Sequence, residues 1–327
     1  MVSRRRFTLA LGAGLLAAPL SLVAQQEPTK VWRIGFLGLP SASGWASKVE
    51  ALREGLRDVG YVEGTNLVFE FRWAEGKYER LPELAAELVR LKVDVIVTHA
   101  GAGPRAAMQA TKSIPIVIAA VGDAVSNRLV VSLARPGGNV TGSSFLSPQL
   151  ATKRLDLLKA AFPRARRVAI LLNPDGVNPA SMDAMRLAAK SIKVELQQFG
   201  VRGPNEFESA FASMAKAHVN AVVINEDPML VANAKGIADF AAKHRLPSIG
   251  FQETAEAGGL MAYGANIVEM HRRAAVFIDK ILKGAKPGDL PVEQPTKFNF
   301  VVNMRTAKAM GLTIPQSVLL QADRLIE

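Results

Sequence analysis

Hydrophobic and polar positions along this 327-residue chain form blocks that predict strands alternating with helices. Apolar runs rich in β-branched residues, at 31–39, 93–100 and 114–121, predict strands that are buried on both faces. Between them, apolar residues recur every three or four positions, as at 46–59 and 78–91, which predicts amphipathic helices. The alternation therefore predicts an α/β fold with parallel sheets.

The same alternation begins again in the second half of the chain. The elements predicted there are strands at 166–173, 193–199, 220–225 and 246–251, and helices at 179–191, 205–217 and 233–244. Two sets of similar size without a sequence repeat predict two doubly wound parallel-sheet lobes. A further helix is predicted at 268–282 and a further strand at 297–303.

Two segments containing glycine, at 134–147 and 258–266, are interpreted as strands that cross between the lobes. Because neither half is self-contained, the lobes are expected to exchange segments. The first lobe is predicted to contain residues 31–142 and about 265–289, and the second lobe residues 143–264 and about 290–327.

The beginning of the chain has the pattern of an export signal. Three arginines at 4–6 precede an apolar run, and Ala24 stands before a polar segment, as in a cleaved signal peptide of residues 1–24. The adjacent Arg4 and Arg5 favour the twin-arginine route, with a general secretory signal or an uncleaved anchor helix as alternatives. The protein is therefore expected to be periplasmic, and soluble after signal cleavage.

Charge and composition exclude several classes of function. Arg4–Arg6 contribute three of the formal net charge of +11, which leaves +8, and the basic residues alternate with acidic ones along helices. This pattern is typical of a solvated face, so no nucleic-acid partner is expected. Cysteine is absent, which excludes disulfides, thiol catalysis and lipid attachment at a signal-peptide cysteine. The four histidines are scattered along the sequence, so no metal site is predicted.

Small and polar residues follow the carboxyl ends of the predicted strands, where open parallel sheets bind ligands. Such residues suit a small polar ligand with a cationic part, although each could instead serve as a helix cap. The predicted ligand-binding residues are Ser41, Ser43, Ala102, Asp123, Ser143, Ser144, Asn173, Asn225, Asp227 and Gln252.

Asp123 is predicted to hold the cationic end of the ligand, since it follows the strand predicted at 114–121. A carboxylate that becomes enclosed must be paired, because an unpaired buried charge is destabilising. The alternative is that Asp123 only caps the following helix, in which case the cationic subsite moves to Glu226 or Asp227.

One motif indicates a different class of protein. Residues Gly101–Ala106 match G-x-G-x-x-A, and Asp123 lies about twenty residues further on, where a ribose-binding acid would stand. An exported dinucleotide-dependent oxidoreductase is therefore an alternative. Against it, the motif is not in the first β-α unit, and Pro104 lies in the first turn of a short predicted helix. No other catalytic motif occurs, so neither enzymatic activity nor a cofactor is expected.

Several stretches resemble one known family across essentially the whole chain after the signal, in order. They include "LARPGGNVTG" at 133–142, "GGLMAYGAN" at 258–266 and "ILKGAKPGDLPVEQPTKFNFVVNMRTAKAMGLTIP" at 281–315. The family is that of ABC-transporter solute receptors, which includes the TrpX-like proteins that bind aromatic amino acids. The chain departs from it where Ala124 replaces a usual proline, and where 225–227 read Asn-Glu-Asp instead of Thr-Asp-Asn.

The resemblance implies a type I periplasmic-binding-protein fold, with two lobes joined by crossing strands and the ligand in the cleft between them. It implies a monomeric receptor that captures an amino acid-like molecule by hinge closure, with aromatic amino acids among the candidate ligands. It also implies that the receptor delivers this molecule to the membrane permease of an ABC importer. A sensory receptor of the same fold, which presents its closed form to a membrane kinase, is the alternative.

Overall fold

The computed structural model describes residues 30–327, and the signal peptide predicted at 1–24 lies outside them. Within these residues, no helix is both long and apolar enough to cross a membrane. The described chain forms two separate β-sheets, with helices connecting their strands.

The first sheet contains five parallel strands in the order β2-β1-β3-β4-β5. The strands are β1 (Trp32–Gly38), β2 (Leu67–Trp73), β3 (Val95–His99), β4 (Ile116–Val121) and β5 (Val140–Ser144). The helices between them are α1 (Ala46–Asp58), α2 (Leu81–Arg90) and α3 (Ala102–Ala110). Strands β3 and β4 are buried along their whole length, as expected for parallel strands that are covered on both faces.

The second sheet contains seven strands in the order β12-β11-β10-β9-β8-β6-β7. The strands are β6 (Arg167–Leu172), β7 (Glu195–Gly200), β8 (Ala221–Ile224), β9 (Ser248–Gly250), β10 (Met261–Gly264), β11 (Asn299–Asn303) and β12 (Arg324–Ile326). Among the strands described, β10 and β11 form the one antiparallel pair. Both β6 and β8 are buried almost throughout, whereas the edge strand β7 is partly exposed.

Nine further helices follow β5 in the chain. They are α4 (Ser147–Ala161), α5 (Pro179–Ser191), α6 (Phe207–Lys216), α7 (Pro228–Ala232), α8 (Ala234–Lys243), α9 (Gln252–Glu256), α10 (Ile267–Leu282), α11 (Met304–Ala309) and α12 (Gln316–Leu319). Of these, α10 returns to the first sheet and packs against α1 and β4.

The chain passes between the sheets three times: from β5 to α4, from β10 to α10, and from α10 to β11. Along the third passage the Glu293 N–H donates to the Gly142 carbonyl, and the Glu293 carbonyl accepts from the Ser144 N–H, each at 2.9 Å. We call the first sheet with α1–α3 and α10 the first lobe, and the second sheet with the remaining helices the second lobe.

The predicted α/β fold with parallel sheets is confirmed, and two features go beyond the prediction. Helix α4 was not predicted; Pro148 stands in its first turn, where the missing N–H of proline costs no hydrogen bond. Strand β11 is antiparallel to β10 because the chain leaves the second sheet after β10 and re-enters it from the same side after α10.

Candidate functional site

A cavity of about 200 Å³ lies between the two lobes, at the carboxyl ends of strands from both sheets. The first lobe contributes loops that follow β1, β2, β3 and β4, and the second lobe contributes loops that follow β6 and β8. Helices begin at this edge of a parallel sheet, so their free N–H groups face the same space. The position of the cavity is therefore the one that the strand order favours for a ligand.

Aromatic rings form much of the first-lobe wall of the cavity. Trp45 ends a short 3-10 helix after β1, and its side chain is only 2% exposed. The ring of His99, at the end of β3, stacks on Trp45 with centroids 4.4 Å apart and planes 16° apart. The Trp45 Nε1–H donates to His271 Nε2 at 3.2 Å, which fixes the orientation of the indole.

The two histidines that contact Trp45, His99 in the wall and His271 behind it, are held in the neutral form. His271 Nδ1 lies 2.8 Å from the Ile267 carbonyl, so Nδ1 carries the proton and Nε2 accepts from Trp45. Burial lowers the pKa of His271 to about 4, and nearby Lys48 acts in the same direction. Burial, with His271 and Lys48, also lowers the pKa of His99 well below its usual range. The part of the first-lobe wall that Trp45 and His99 form is therefore aromatic and uncharged at neutral pH.

A hydrogen bond joins the lobes at another side of the cavity. The hydroxyl of Tyr78, which follows β2, donates to the carboxylate of Asp227, which follows β8. The other Asp227 oxygen accepts from the N–H groups of Met229 at 2.9 Å and Leu230 at 3.4 Å, so Asp227 also caps α7. Burial raises the pKa of Asp227, and burial together with Asp227 raises the pKa of Tyr78.

Gly176 leaves the space that this contact between the lobes requires. A methyl group added at Gly176 would overlap both the Tyr78 hydroxyl and the Asp227 carboxylate. The backbone angles of Gly176 are ones that alanine also adopts, so the restriction is steric, and it comes both from Tyr78 of the first lobe and from Asp227 of the second lobe, to which Gly176 itself belongs.

The second-lobe wall carries a buried ion pair. The Arg154 guanidinium, on α4, donates to Glu226 Oε2 at 2.9 Å and to the Tyr263 carbonyl of β10 at 2.6 Å. Glu226 lines the cavity, and its Oε1 is buried without a hydrogen-bond partner among the described residues. Burial raises the pKa of Glu226; Arg154 opposes this effect and Glu253 adds to it.

Two more contacts join the lobes around the cavity. Lys48 Nζ, on α1, lies 2.7 Å from Glu253 Oε1 on α9, and the two side chains are 5% and 18% exposed. At the rim, Asn178 Nδ2 lies 3.4 Å from Ser126 Oγ. Polar groups of the two lobes therefore meet on several sides of the cavity.

The beginning of α3 forms a further part of the first-lobe wall. Gly101 and Ala102 line the cavity together with Arg105, whose exposed side chain donates to Asn127 Oδ1 at 3.1 Å. The free N–H groups of the first helical turn and the guanidinium place positive potential here. This end of the cavity suits an anionic group.

Four of the ten predicted binding residues lie at the cavity. Ala102, Asn225 and Asp227 line it. Asn173 lies behind them: its Nδ2 is 3.5 Å from Asp227 Oδ1, and its Oδ1 accepts from the Asp175 N–H at 3.1 Å. These four residues follow β3, β6 and β8, and their role in binding stays a prediction.

Asp123 lies outside the cavity lining, at the cap position of the alternative prediction. Its Oδ1 accepts from the N–H groups of Val125 at 3.1 Å and Ser126 at 2.9 Å. The carboxylate already has the partners that an Asx turn provides, so it is directed at its own backbone rather than into the cavity.

Three predicted serines also have local partners and do not line the cavity. Ser41 Oγ accepts from the Gly44 N–H at 3.2 Å and lies 3.3 Å from Ser43 Oγ, at the start of the 3-10 helix that carries Trp45. Ser144 Oγ accepts from the Ala124 N–H at 3.0 Å. These hydroxyls stabilise loops that present other side chains.

The last two predicted residues lie elsewhere. Ser143 lines a second cavity of about 440 Å³, next to the ion pair between Arg273 and Glu293 on the third passage. Gln252 Nε2 donates to Glu256 Oε1 at 3.1 Å within α9. Neither residue lines the cavity between the lobes.

The glycine motif of the alternative prediction has a packing role in the structure. Gly103 lies inside α3, and a methyl group there would overlap the Thr98 hydroxyl of β3. Gly103 therefore brings α3 close to β3, while Gly101 and Ala102 begin the helix at the cavity. Within residues 30–327, no three or more His, Asp or Glu side chains are grouped so that they could hold a metal ion.

The sequence reasoning missed Trp45, Tyr78 and Arg105 as lining residues, and had Glu226 only as an alternative. Tyr78 lies in the loop that follows β2, and none of the predicted binding residues belongs to that loop. Trp45 lies just beyond the predicted Ser41 and Ser43. An aromatic residue in a polar loop at a strand end was the available signal for both.

Comparison with known proteins places the chain among transport receptors. The family described as "ABC transporter substrate binding protein" matches residues 35–326. A relative from Clostridioides difficile, named tyrosine-binding protein, is 29% identical over 260 residues, covering 79% of this chain and 74% of the relative.

Two solved structures of similar sequence differ in how well they superpose. A Streptococcus pneumoniae protein in complex with L-Trp is 26% identical, covers 91% of this chain and 100% of its own, and has a TM-score of 0.82. A ligand-free, open substrate-binding protein from Clostridium difficile, also 26% identical over 91% of this chain and 99% of its own, has a TM-score of 0.63. Two further solute-binding proteins and a ribose operon repressor, all below 25% identity, share the fold, which confirms the type I periplasmic-binding-protein architecture.

Proposed function

The chain belongs to the family of ABC transporter substrate-binding proteins, and from this premise we propose that it captures an amino acid with an aromatic side chain for an importer. The observation that carries the proposal is the composition of the cavity, which has an aromatic wall with Arg105 at one end on the first lobe and a carboxylate-bearing wall on the second lobe. An aromatic amino acid offers a matching ring and ammonium group.

The ring of the ligand is proposed to lie against the first-lobe wall. Trp45 and Tyr78 line the cavity there, and their polar atoms are engaged by His271 and Asp227. Fixed rings lose little entropy when a ligand stacks on them, and an aromatic pair is worth about 0.5–1.5 kcal/mol beyond its buried area. The names of the C. difficile and S. pneumoniae proteins, which refer to tyrosine and L-Trp, support this ligand class.

The ammonium group is proposed to bind at Glu226. Its Oε1 has no partner among the described residues, whereas both oxygens of Asp227 already accept hydrogen bonds. When the lobes meet, the carboxylates of Glu226, Asp227 and Glu253 are enclosed with two buried cations, Arg154 and Lys48, while Arg105 at the other end of the cavity stays exposed. A ligand ammonium would offset the remaining negative charge, and the α-carboxylate would lie toward the beginning of α3.

Capture is proposed to occur by closure of the lobes about the three passages between them. The contacts Tyr78–Asp227 and Lys48–Glu253 both join one lobe to the other, as in a closed form. The higher TM-score with the L-Trp complex than with the ligand-free, open protein, at equal identity and coverage, supports the same interpretation. The ligand-selected closed state would then be the form that a permease binds.

Export remains part of the proposal. Residues 1–24 are proposed to be a cleaved signal, of the twin-arginine type, that directs a monomeric receptor to the periplasm. The lobes of the mature protein would then exchange segments near residues 144 and 265, close to the predicted boundaries.

Native mass spectrometry and calorimetry of the mature protein test this function. We expect L-tyrosine, L-tryptophan or L-phenylalanine to bind at micromolar or lower Kd, with L-alanine at least about 100-fold weaker, because it lacks the ring. Absence of binding by all three aromatic amino acids, or a co-purifying nicotinamide cofactor, would overturn the proposal.

A further inference from the structure

We propose that Lys48 is a positioning residue for ligand capture: it steadies the Trp45 ring and joins the lobes through Glu253 at the same time. Neither Lys48 nor Glu253 lines the cavity, so both act through neighbours that do. The inference rests on the proposed closure of the lobes, but not on the identity of the ligand.

The geometry connects Lys48 to both walls of the cavity. Its Nζ lies 5.2 Å from the centroid of the Trp45 ring and 2.7 Å from Glu253 Oε1. A cation at this distance from an indole face is attracted by the electrons of the ring. The same ammonium therefore contacts the aromatic wall of the first lobe and a carboxylate of the second lobe.

Burial makes this contact specific to the arrangement in which the lobes touch. The Lys48 side chain is 5% exposed, and among the described residues Glu253 is the one carboxylate with which it forms an ion pair. A lysine can remain charged in such a place only if an opposite charge is close. When the lobes separate, water can reach Lys48, so the pair stabilises the closed form and not the fold of either lobe.

Lys48 also limits the repulsion between the two second-lobe carboxylates. Glu253 is close enough to Glu226 to disfavour its ionised form, and its Oε2 has no partner among residues 30–327. Pairing with Lys48 offsets the charge of Glu253 as the cleft closes. Glu226 is then left free to attract a cation.

The test measures closure without requiring a ligand. The chain has no cysteine, so Ser126→Cys and Asn178→Cys place two unique thiols where side chains of the lobes meet at 3.4 Å. The rate at which a short bifunctional thiol reagent joins them reports the closed population. This rate is compared in the parent, Lys48→Met, Glu253→Gln and the combination of both substitutions.

Lys243→Met is the matched control, since Lys243 pairs with Glu208 at 3.0 Å within the second lobe and both side chains are exposed. We expect Lys48→Met and Glu253→Gln each to slow cross-linking about tenfold, as expected for loss of a charge-assisted contact. The variant with both substitutions should cross-link no more slowly than either single variant, because all three lack the same interaction, the Lys48–Glu253 ion pair. The control should leave the rate unchanged.

The indole provides a second readout. In cross-linked protein in which Trp32 and Trp73 are replaced by phenylalanine, Lys48→Met should alter the fluorescence of Trp45, whereas Glu253→Gln should alter it less, because Lys48 is the partner that lies over the ring. Additive effects of the two substitutions, or rates equal to that of the control, would overturn the proposal. Addition of L-tyrosine tests the proposed function separately. If L-tyrosine fails to accelerate cross-linking of the parent, the proposed ligand is wrong. The effect of Lys48→Met on the rate without ligand is a separate result and tests only the role of Lys48.

Discussion

The two walls of the cavity use different chemistry to prepare for the same ligand. The first-lobe wall consists mainly of rings and neutral histidines, with Trp45 held by His271 and stacked on His99, and it carries no carboxylate in the lining; its charged residue is Arg105. The second-lobe wall presents charge, with Glu226 paired to Arg154 and Asp227 capping α7. A neutral aromatic wall needs no partner when it is covered, whereas a carboxylate wall does.

This difference suggests an order of events for the proposed capture. A ring can stack on the first lobe while the cleft is open, since stacking does not depend on the second lobe. Glu226 is already paired with Arg154, but enclosing Glu226, Asp227 and Glu253 with the two buried cations Arg154 and Lys48 leaves an excess of negative charge. Closure therefore becomes more favourable when a cation enters with the ligand. Charge on the second wall would then make closure depend on the correct ligand.

The largest expected effect follows removal of the charge from the second wall. Glu226→Gln leaves Arg154, which is 2% exposed, without its carboxylate. Breaking one partner of a buried ion pair destabilises by about 3–5 kcal/mol, so urea unfolding should show a loss of this size. Binding of the aromatic amino acid, measured by calorimetry, should be lost as well.

A double variant separates stability from binding at this position. Glu226→Gln combined with Arg154→Met removes both charges, so the free energy of unfolding should largely recover. Binding should not recover, because the acceptor for the ammonium group remains absent. Parent-like affinity in the double variant would show that Glu226 holds only Arg154 and not the ligand.

The second prediction concerns the neutral state of the first wall. The pKa of His271 is about 4 in the folded protein and about 6.5 when unfolded, so the unfolded chain binds the proton more readily between these values. The contribution of His271 to stability is therefore complete above pH 6.5 and is lost as the pH falls, reaching a loss of about 3 kcal/mol at pH 4.

His271→Gln isolates this effect from other titrating groups. Glutamine can donate and accept hydrogen bonds but does not ionise, so its urea-unfolding stability should decline less between pH 6.5 and pH 4 than that of the parent. The raised pKa values of Glu226 and Asp227 act in the opposite direction and are common to both proteins. Identical pH slopes for the two proteins would contradict a neutral, buried His271.

Much of the fold could be predicted from periodicity, and the site only in part. Buried parallel strands such as β3 and β4 have continuous apolar runs, which identify them as strands in the sequence. The alternation of strands with helices indicates that neighbouring strands run parallel. The antiparallel β11 could not be predicted, because its direction depends on where α10 returns the chain. Direction in a sheet is a property of the connections rather than of the strand.

The binding residues show the same limit at the level of side chains. Asp123 and Asp227 both follow a strand and both cap the next turn or helix, yet only Asp227 lines the cavity. What separates them is the Tyr78 hydroxyl, which comes from the other lobe, more than a hundred residues away in sequence. A pattern confined to strand ends contains no information about which loops the opposite lobe will meet.

The third prediction tests whether contact between the walls controls affinity. Gly176→Ala places a methyl group against both the Tyr78 hydroxyl and the Asp227 carboxylate, so it should displace Asp227 within the second lobe and weaken the contact between the lobes. We expect the Kd for the aromatic amino acid to rise about tenfold, equivalent to about 1.4 kcal/mol. Calorimetry gives the Kd, and small-angle scattering should give a larger radius of gyration at saturation.

Tyr78→Phe provides the matched comparison, since it removes the hydroxyl that meets Asp227 but keeps the ring. Its effect on Kd should be of similar or larger size, at about 1.5–3 kcal/mol for a lost hydrogen bond to a carboxylate. The two substitutions act on one contact, so their combination should cause less than the sum of the single losses. Fully additive losses would indicate that Gly176 acts elsewhere.

The smallest expected effect is that of Asp123→Asn. This substitution tests whether the first-lobe wall lacks a carboxylate that faces the ligand. Asp123 accepts from the Val125 and Ser126 N–H groups, and asparagine makes the same contacts. Stability should therefore change by only a few tenths of a kcal/mol, and the Kd by less than about twofold, because no charge that faces the ligand is lost. Calorimetry and thermal unfolding check both values. A Kd raised about tenfold or more at unchanged stability would return the cationic subsite to the first lobe, and both walls would then carry a carboxylate.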